Sequence, residues 1–213
     1  MNDRNDGSSP ARDRRRSSQV LREFKETHTG ERVALGELRD ALGDRAFGVL
    51  LFIFSLPNLV PNIPGMSTLF AIPLIFLSWQ LFYGRPTPWF PSWLSERSFS
   101  REDFVRVLDR GLPYLERFEK LLRPRQPWLF SWPGERLLGL ACLPLAVIIL
   151  LPIPLGNFLP SVSTAVVGLA VVERDGQAAL IGLIIGVVAA IIVSGVVIAG
   201  IEFILLLLER AFA

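Results

Sequence analysis

GDRAFGVLLFIFSLPNLVPNIPGMSTLFAIPLIFLSWQLFYG, residues Gly43 to Gly84, is the stretch on which the reading of the whole chain turns. Between Arg45 and Arg85 it holds no Asp, Glu, Lys, Arg or His, and a helical crossing of a bilayer core needs about 20 apolar residues. Its middle cannot be one helix, because Pro57, Pro61 and Pro64 each remove a backbone donor and press a ring against the preceding turn. In lipid an unpaired backbone group costs several kcal/mol, so such a break survives only where protein or a water-filled cavity surrounds it. The stretch therefore predicts two helices meeting at a buried, irregular corner.

Composition extends that reading to the whole chain. Hydrophobic residues make up 51% and the mean hydropathy is +0.43, while the charges gather outside three apolar blocks. An all-α integral membrane protein is expected. The net charge of +2 is too small and too scattered for nucleic acid to be a partner. Cys142 and His28 are the only cysteine and histidine. An intrachain disulfide and a Cys/His zinc site are excluded, and no metal or cofactor is expected. Residues 1–18 are polar, include Arg14, Arg15 and Arg16, and lack the apolar core of a signal peptide. They read as a disordered basic tail on the cytoplasmic side, either solubilising or in contact with anionic headgroups.

Two charged segments carry apolar residues at helical spacing. In Gln19 to Leu42 these are Val20, Leu21, Phe24, Val33, Leu35, Leu38 and Leu42. In Phe99 to Leu122 they are Phe104, Val107, Leu108, Leu112, Leu115, Phe118, Leu121 and Leu122, opposite Arg101, Asp103, Arg106, Asp109, Arg110, Glu116, Glu119 and Lys120. Both are too charged to cross a bilayer. Either they lie in the headgroup plane, anchored by Trp89, Trp93, Trp128 and Trp132, or they pack on each other outside the membrane.

The second apolar block, Leu137 to Val172, reads as a degenerate copy of the first. Gly43-Asp44-Arg45-Ala46-Phe47-Gly48 answers Gly134-Glu135-Arg136-Leu137-Leu138-Gly139, and Ile63-Pro64-Gly65-Met66-Ser67-Thr68 answers Leu159-Pro160-Ser161-Val162-Ser163-Thr164. The chain then divides into a tail (1–18), a first repeat (19–98), a second repeat (99–176) and a C-terminal transmembrane segment (177–213). Each repeat is an amphipathic helix followed by a proline-broken helical hairpin, either spanning or re-entrant. The connection from Arg85 to Arg136 is basic and cannot cross, so both hairpins enter from one face, cytoplasmic by the positive-inside rule.

Paired interrupted helices point to a substrate site in transporter-like folds. Each break ends in Pro-x-x-Ser-Thr, where a hydroxyl can bond unpaired backbone donors, and two helix amino ends facing each other suit an anion such as phosphate. The candidate ligand residues are Asn58, Asn62, Ser67 and Thr68 in the first break and Asn157, Ser163 and Thr164 in the second, with Arg45 and Arg136 drawing a phosphate in from the interface. The competing account is that the hydroxyls and asparagines only satisfy the broken backbone and the charges only anchor the helices. Asp44, Glu135 and Glu202 are the candidate coupling carboxylates, Asp44 and Glu135 alternatively as ion-pair partners of the neighbouring arginines. In the last block, small residues fall four apart at Ala178, Gly182, Gly186, Ala190 and Ser194, a stripe for close helix packing within the monomer or across a homodimer. The block is either one long tilted helix or two short ones bending near Ser194-Gly195.

The run Leu56-Pro57-Asn58-Leu59-Val60-Pro61, then Pro64-Gly65-Met66-Ser67-Thr68-Leu69-Phe70, Pro73, Gln80-Leu81 and Gly84-Arg85, closing with Pro88-Trp89 and Pro91, resembles the bacterial ExoD family of exopolysaccharide-synthesis membrane proteins. Leu35-Gly36-Glu37-Leu38 and Gly43-Asp44-Arg45 are similar to that family's entry helix. The resemblance implies a small multi-pass protein of the bacterial cytoplasmic membrane, with alkaline tolerance linked to some members, and it carries no assigned reaction. The two broken hairpins also resemble, in architecture alone, DedA-type proteins that move lipid phosphates, although the acidic residue of those breaks is missing here. Three functions follow: a flippase-like transporter of an anionic lipid-linked carrier such as polyprenyl phosphate, a non-transporting assembly or regulatory subunit of polysaccharide synthesis, and a cation or proton exchanger. An enzyme is not expected, because within the apolar blocks Glu202 is the only acid and no histidine is present.

Overall fold

A computed structural model describes residues 16–59, 66–89, 98–151 and 156–212. Among them the elements run α1 (Ser17–Thr27), β1 (Arg32–Ala34), α2 (Leu35–Leu42), α3 (Ala46–Ser55), α4 (Met66–Tyr83), β2 (Ser98–Ser100), α5 (Arg101–Leu121), α6 (Trp132–Leu150), α7 (Phe158–Glu173) and α8 (Gly176–Phe212). Short 3-10 turns occupy Gly43–Arg45, Leu56–Leu59 and Pro127–Phe130. The fold is almost entirely helical.

Both interruptions are present. After Ser55 the chain tightens into the 3-10 turn containing Pro57, and α4 begins at Met66; α6 stops at Leu150 and α7 begins at Phe158. Pro61, Pro64, Pro152 and Pro154 lie outside the described residues. Single prolines at Pro73, Pro113 and Pro144 sit inside helices.

Every residue of α3 from Ala46 to Ser55 is buried, which makes it the axis of the bundle. It packs against α7 and α4, while α4 lies mainly along α6, and α7 lies along α8. Glycines set how close these helices come. A Cβ at Gly48 would stand 2.5 Å from the Gly168 carbonyl oxygen, and one at Gly168 would stand 2.7 Å from the Gly48 oxygen, so α3 and α7 meet backbone on backbone. A Cβ at Gly139 would stand 2.3 Å from the Phe82 nitrogen, which brings α6 equally close to α4.

Among the described residues two helices are long and apolar enough to cross a membrane, over Pro133–Leu150 and Gly176–Arg210. Their outward faces carry exposed apolar side chains, including Leu137, Leu140 and Val147 on α6 and Leu180, Ile184 and Ile191 on α8. Shorter apolar helices cover Ala46–Leu59, Thr68–Tyr83 and Phe158–Glu173. The last apolar block forms one continuous helix of 37 residues with no bend assigned at Ser194-Gly195.

The charged segments form a second layer. The single helical run read over Gln19 to Leu42 is divided, because His28, Thr29 and Gly30 are weak helix formers and Val33 is buried in a strand instead. That strand, β1, pairs antiparallel with β2, Arg32 opposite Ser100 and Val33 opposite Phe99. Immediately afterwards α5 starts on a Ser100 cap whose Oγ accepts from the Asp103 amide at 3.1 Å. The segments do pack on each other: Phe24 of α1 meets Phe104 of α5 edge-on at 6.0 Å, and Arg101 Nε donates to the His28 carbonyl at 3.1 Å. In addition α5 packs on α3 and on the 3-10 turn that follows it, where a Cβ at Gly111 would stand 2.3 Å from Leu56 Cδ1.

Candidate functional site

At the far end of α3 a cavity of about 930 Å³ opens between the two interruptions and α5. Its walls are Phe52, Leu56, Pro57 and Leu59 from the end of α3 and its 3-10 turn, Leu69 and Phe70 from the first turns of α4, and Phe158, Val162 and Val166 from α7. These side chains are apolar because the same breaks that stop the helices lie within hydrophobic blocks. The remaining wall is one face of α5, where Asp103, Arg106, Arg110, Tyr114 and Arg117 are all exposed at the mouth. Such a volume falls within the range of ligand pockets, roughly 300–1,000 Å³.

Charges on α5 are sorted by direction. Three of its acidic side chains meet α1: Asp109 pairs with Lys25, Glu116 with Arg22, and the buried Glu119 accepts from the Ser18 amide at 2.8 Å and the Ser18 hydroxyl at 2.5 Å. Arg106, Arg110 and Arg117 line the cavity with Asp103, whereas Arg101 turns to the backbone at the end of α1. Arg106 shares Asp103 at 2.9 Å, whereas Arg110 and Arg117 make no ion pair among the described residues. The cavity mouth is thus positive beside apolar walls.

The residues singled out in the sequence are distributed along the helices. Asn58 is buried and its Nδ2 donates to the Phe54 carbonyl at 3.2 Å; Asn157, also buried, reaches across the second interruption to the Ile149 carbonyl at 3.1 Å. Both leave Oδ1 without a hydrogen-bond partner among the described residues. Thr164 donates to the Pro160 carbonyl at 2.9 Å, and Ser163 crosses to α8, donating to the Gly182 carbonyl at 2.7 Å. Thr68 is exposed on the first turn of α4. Asn62 and the side chains of Ser67 and Asp44 lie outside the described residues.

Arg45 and Arg136 stand at the helix ends opposite the interruptions, for the helical run from Ala46 to Leu59 separates Arg45 from the first break by about 20 Å. There the end of α7 joins them: Glu173 lies in the attractive field of Arg45 and Arg16 and the repulsive field of Glu119, while Glu135 lies in the field of Arg174. Arg136 Nη2 donates to the Tyr83 carbonyl at 3.2 Å. Glu202 is exposed on the outer part of α8. Gly182 and Gly186 pack inside the monomer, where added Cβ atoms would stand 2.7 Å from Val167 Cγ2 and from Ser163 Oγ, and Ala190 is half-buried.

What the sequence reading did not single out is the cavity face of α5. Arg106, Arg110 and Arg117 fall on one side of a helix at i, i+4 and i+11, a visible signal of a face, but nothing in the spacing says that this face stands over the breaks. Among the described residues no group of three or more His, Cys, Asp and Glu side chains could hold a metal ion.

Comparison with known proteins gives the family. The family described as "Exopolysaccharide synthesis, ExoD" matches residues 17–195. An uncharacterised protein of Synechocystis sp. is 33% identical over 187 residues, covering 85% of this chain and 87% of the relative. The protein named ExoD of Rhizobium meliloti is 31% identical over 152 residues, covering 69% of this chain and 63% of that protein. No solved structure matches. With the family match spanning most of the sequence, this chain belongs to the ExoD family, which is involved in exopolysaccharide synthesis.

Proposed function

We propose that this protein is a multi-pass protein of the bacterial cytoplasmic membrane that takes an anionic lipid-linked carrier into the cavity beside its broken helices and passes it across the bilayer, as a small flippase-like transporter in exopolysaccharide synthesis. The observation that carries this reading is the cavity of about 930 Å³, apolar on the sides made by α3, α4 and α7 and positive along α5. Apolar walls offer a polysaccharide chain no hydrogen-bond partners, but they suit a lipid tail. Family membership supplies the process. Interrupted helices are a recurring setting for transporter sites. The crossed packing of α3 with α7 and α4 with α6 further supports two related units, since exchanging the units maps one pair onto the other.

The test is retention of polyprenyl phosphate by the purified protein, followed by native mass spectrometry, for wild type and for Val162→Trp and Val166→Trp, which fill the cavity from the α7 side. Wild type is expected to retain the lipid and the filled variants to lose at least ten-fold with unchanged thermal stability. Equal retention by folded, filled variants would remove the cavity from the function. A flux assay in liposomes then tests the passage step, and binding without flux would overturn transport.

A further inference from the structure

We infer that the cavity-facing arginines of α5, Arg106, Arg110 and Arg117, form a recognition site for the phosphate headgroup of a single lipid whose tail occupies the apolar cavity. This rests on the reading that the cavity holds a lipid, and it assigns the headgroup to α5 instead of to the hydroxyls of the breaks.

Three observations lead there. First, the cation supply is local, and at Arg110 and Arg117 it has no ion-pair partner among the described residues. Asp109, Glu116 and Glu119 turn toward α1 and find Lys25, Arg22 and Ser18, so these three acids do not neutralise Arg110 and Arg117 at the mouth. Among the described residues only Asp103, paired with Arg106, brings a negative charge to the rim. Second, the candidate hydroxyls of the second break are engaged elsewhere, and Arg45 is remote. Ser163 and Thr164 donate to the Gly182 and Pro160 carbonyls, and Arg45 sits about 20 Å along the helix from the first break. Third, the arginines border apolar walls on Phe52, Leu56 and Phe158, so one ligand can satisfy both surfaces only if it has an anionic head and a hydrocarbon tail. Arg106 and Arg110 are one turn apart, about 6 Å along the axis, and Arg117 lies about 10 Å beyond, so a phosphate or diphosphate head seated between them is met by long side chains that converge on it and bond through planar guanidinium forks.

The experiment uses the full chain in mixed micelles with four probes: polyprenyl phosphate, uncharged polyprenol, phosphatidylglycerol and inorganic phosphate. Native mass spectrometry reads occupancy for wild type and for the double substitution Arg110→Gln with Arg117→Gln. Wild type is expected to prefer polyprenyl phosphate over polyprenol by at least ten-fold. The double variant should lose that preference while binding polyprenol as before, and the lysine pair Arg110→Lys with Arg117→Lys should recover part of it. Both arginines are exposed, so circular dichroism should be unchanged. Equal binding of polyprenol and polyprenyl phosphate by wild type, or an unaltered preference in the double variant, overturns the headgroup assignment and leaves the cavity reading standing. Equal retention of phosphatidylglycerol reduces the stripe to general surface attraction, and binding of inorganic phosphate as tight as that of the lipid makes it a free-anion site. Failure of wild type to bind either polyprenyl probe brings down the cavity reading as well.

Discussion

Helix α3 and the outer part of α8 are written in nearly the same apolar alphabet, yet α3 is buried on every side while each described side chain from Ser194 to Arg210 is exposed. The difference lies in what their glycines face. Gly48 meets the backbone of Gly168, whereas a Cβ at Gly195 or Gly200 would meet nothing within 4 Å. Both helices are strongly apolar, but only close approach of backbones distinguishes a helix that belongs to the protein's interior from one offered to its surroundings.

That contrast breaks most readily at the crossing of α3 and α7. Gly48→Leu drives a side chain into the Gly168 carbonyl and the α7 backbone, and a loss of about 3 kcal/mol or more is expected. Thermal unfolding of the purified protein in detergent reads it; an unchanged midpoint would refute the close crossing. Next in size is the seat of α1. Glu119→Ala removes the buried carboxylate that accepts two bonds from Ser18, costing about 1–3 kcal/mol and releasing α1, which hydrogen exchange at residues 17–27 would show as lost protection. Ser163→Ala should cost about 1 kcal/mol by removing the donor to Gly182, and differential scanning of the variant beside wild type checks it. Smallest is Gly200→Ala on the open part of α8. With no neighbour to clash against, it should leave stability unchanged or raise it by up to about 1 kcal/mol, and a destabilised variant would mean that this surface is covered in the folded protein.

The helices and their breaks were legible in the sequence because each depends on neighbours a few residues away. Charge-free runs mark the apolar helices, prolines mark both interruptions, and the stripe from Phe104 to Leu122 marks α5 to within a residue or two. The family, too, was readable from the proline-asparagine run of the first break. What was hidden depends on partners far along the chain. β1 is three residues long and pairs with a strand near residue 99, so the twofold alternation is too short to register. The hydroxyl of Ser163 looked available to a ligand until α8 brought the Gly182 carbonyl beside it. Likewise α5 showed a mixed-charge face, and only the docking of α1 draws Asp109 and Glu116 away from Arg110 and Arg117.

The length of α8 sets a condition on the lipids around it. Its 35-residue apolar stretch is about 52 Å long, while the hydrocarbon core of a bilayer is about 30 Å thick. Submerging the whole stretch would require a lean of about 55°, beyond the usual range of roughly 0–40°. The surplus must be met by thickening the bilayer locally or by laying the outer turns along the headgroups. On the proposed membrane placement this helix would gauge bilayer thickness, and the protein is expected to be held most stably in bilayers of longer-chain lipids.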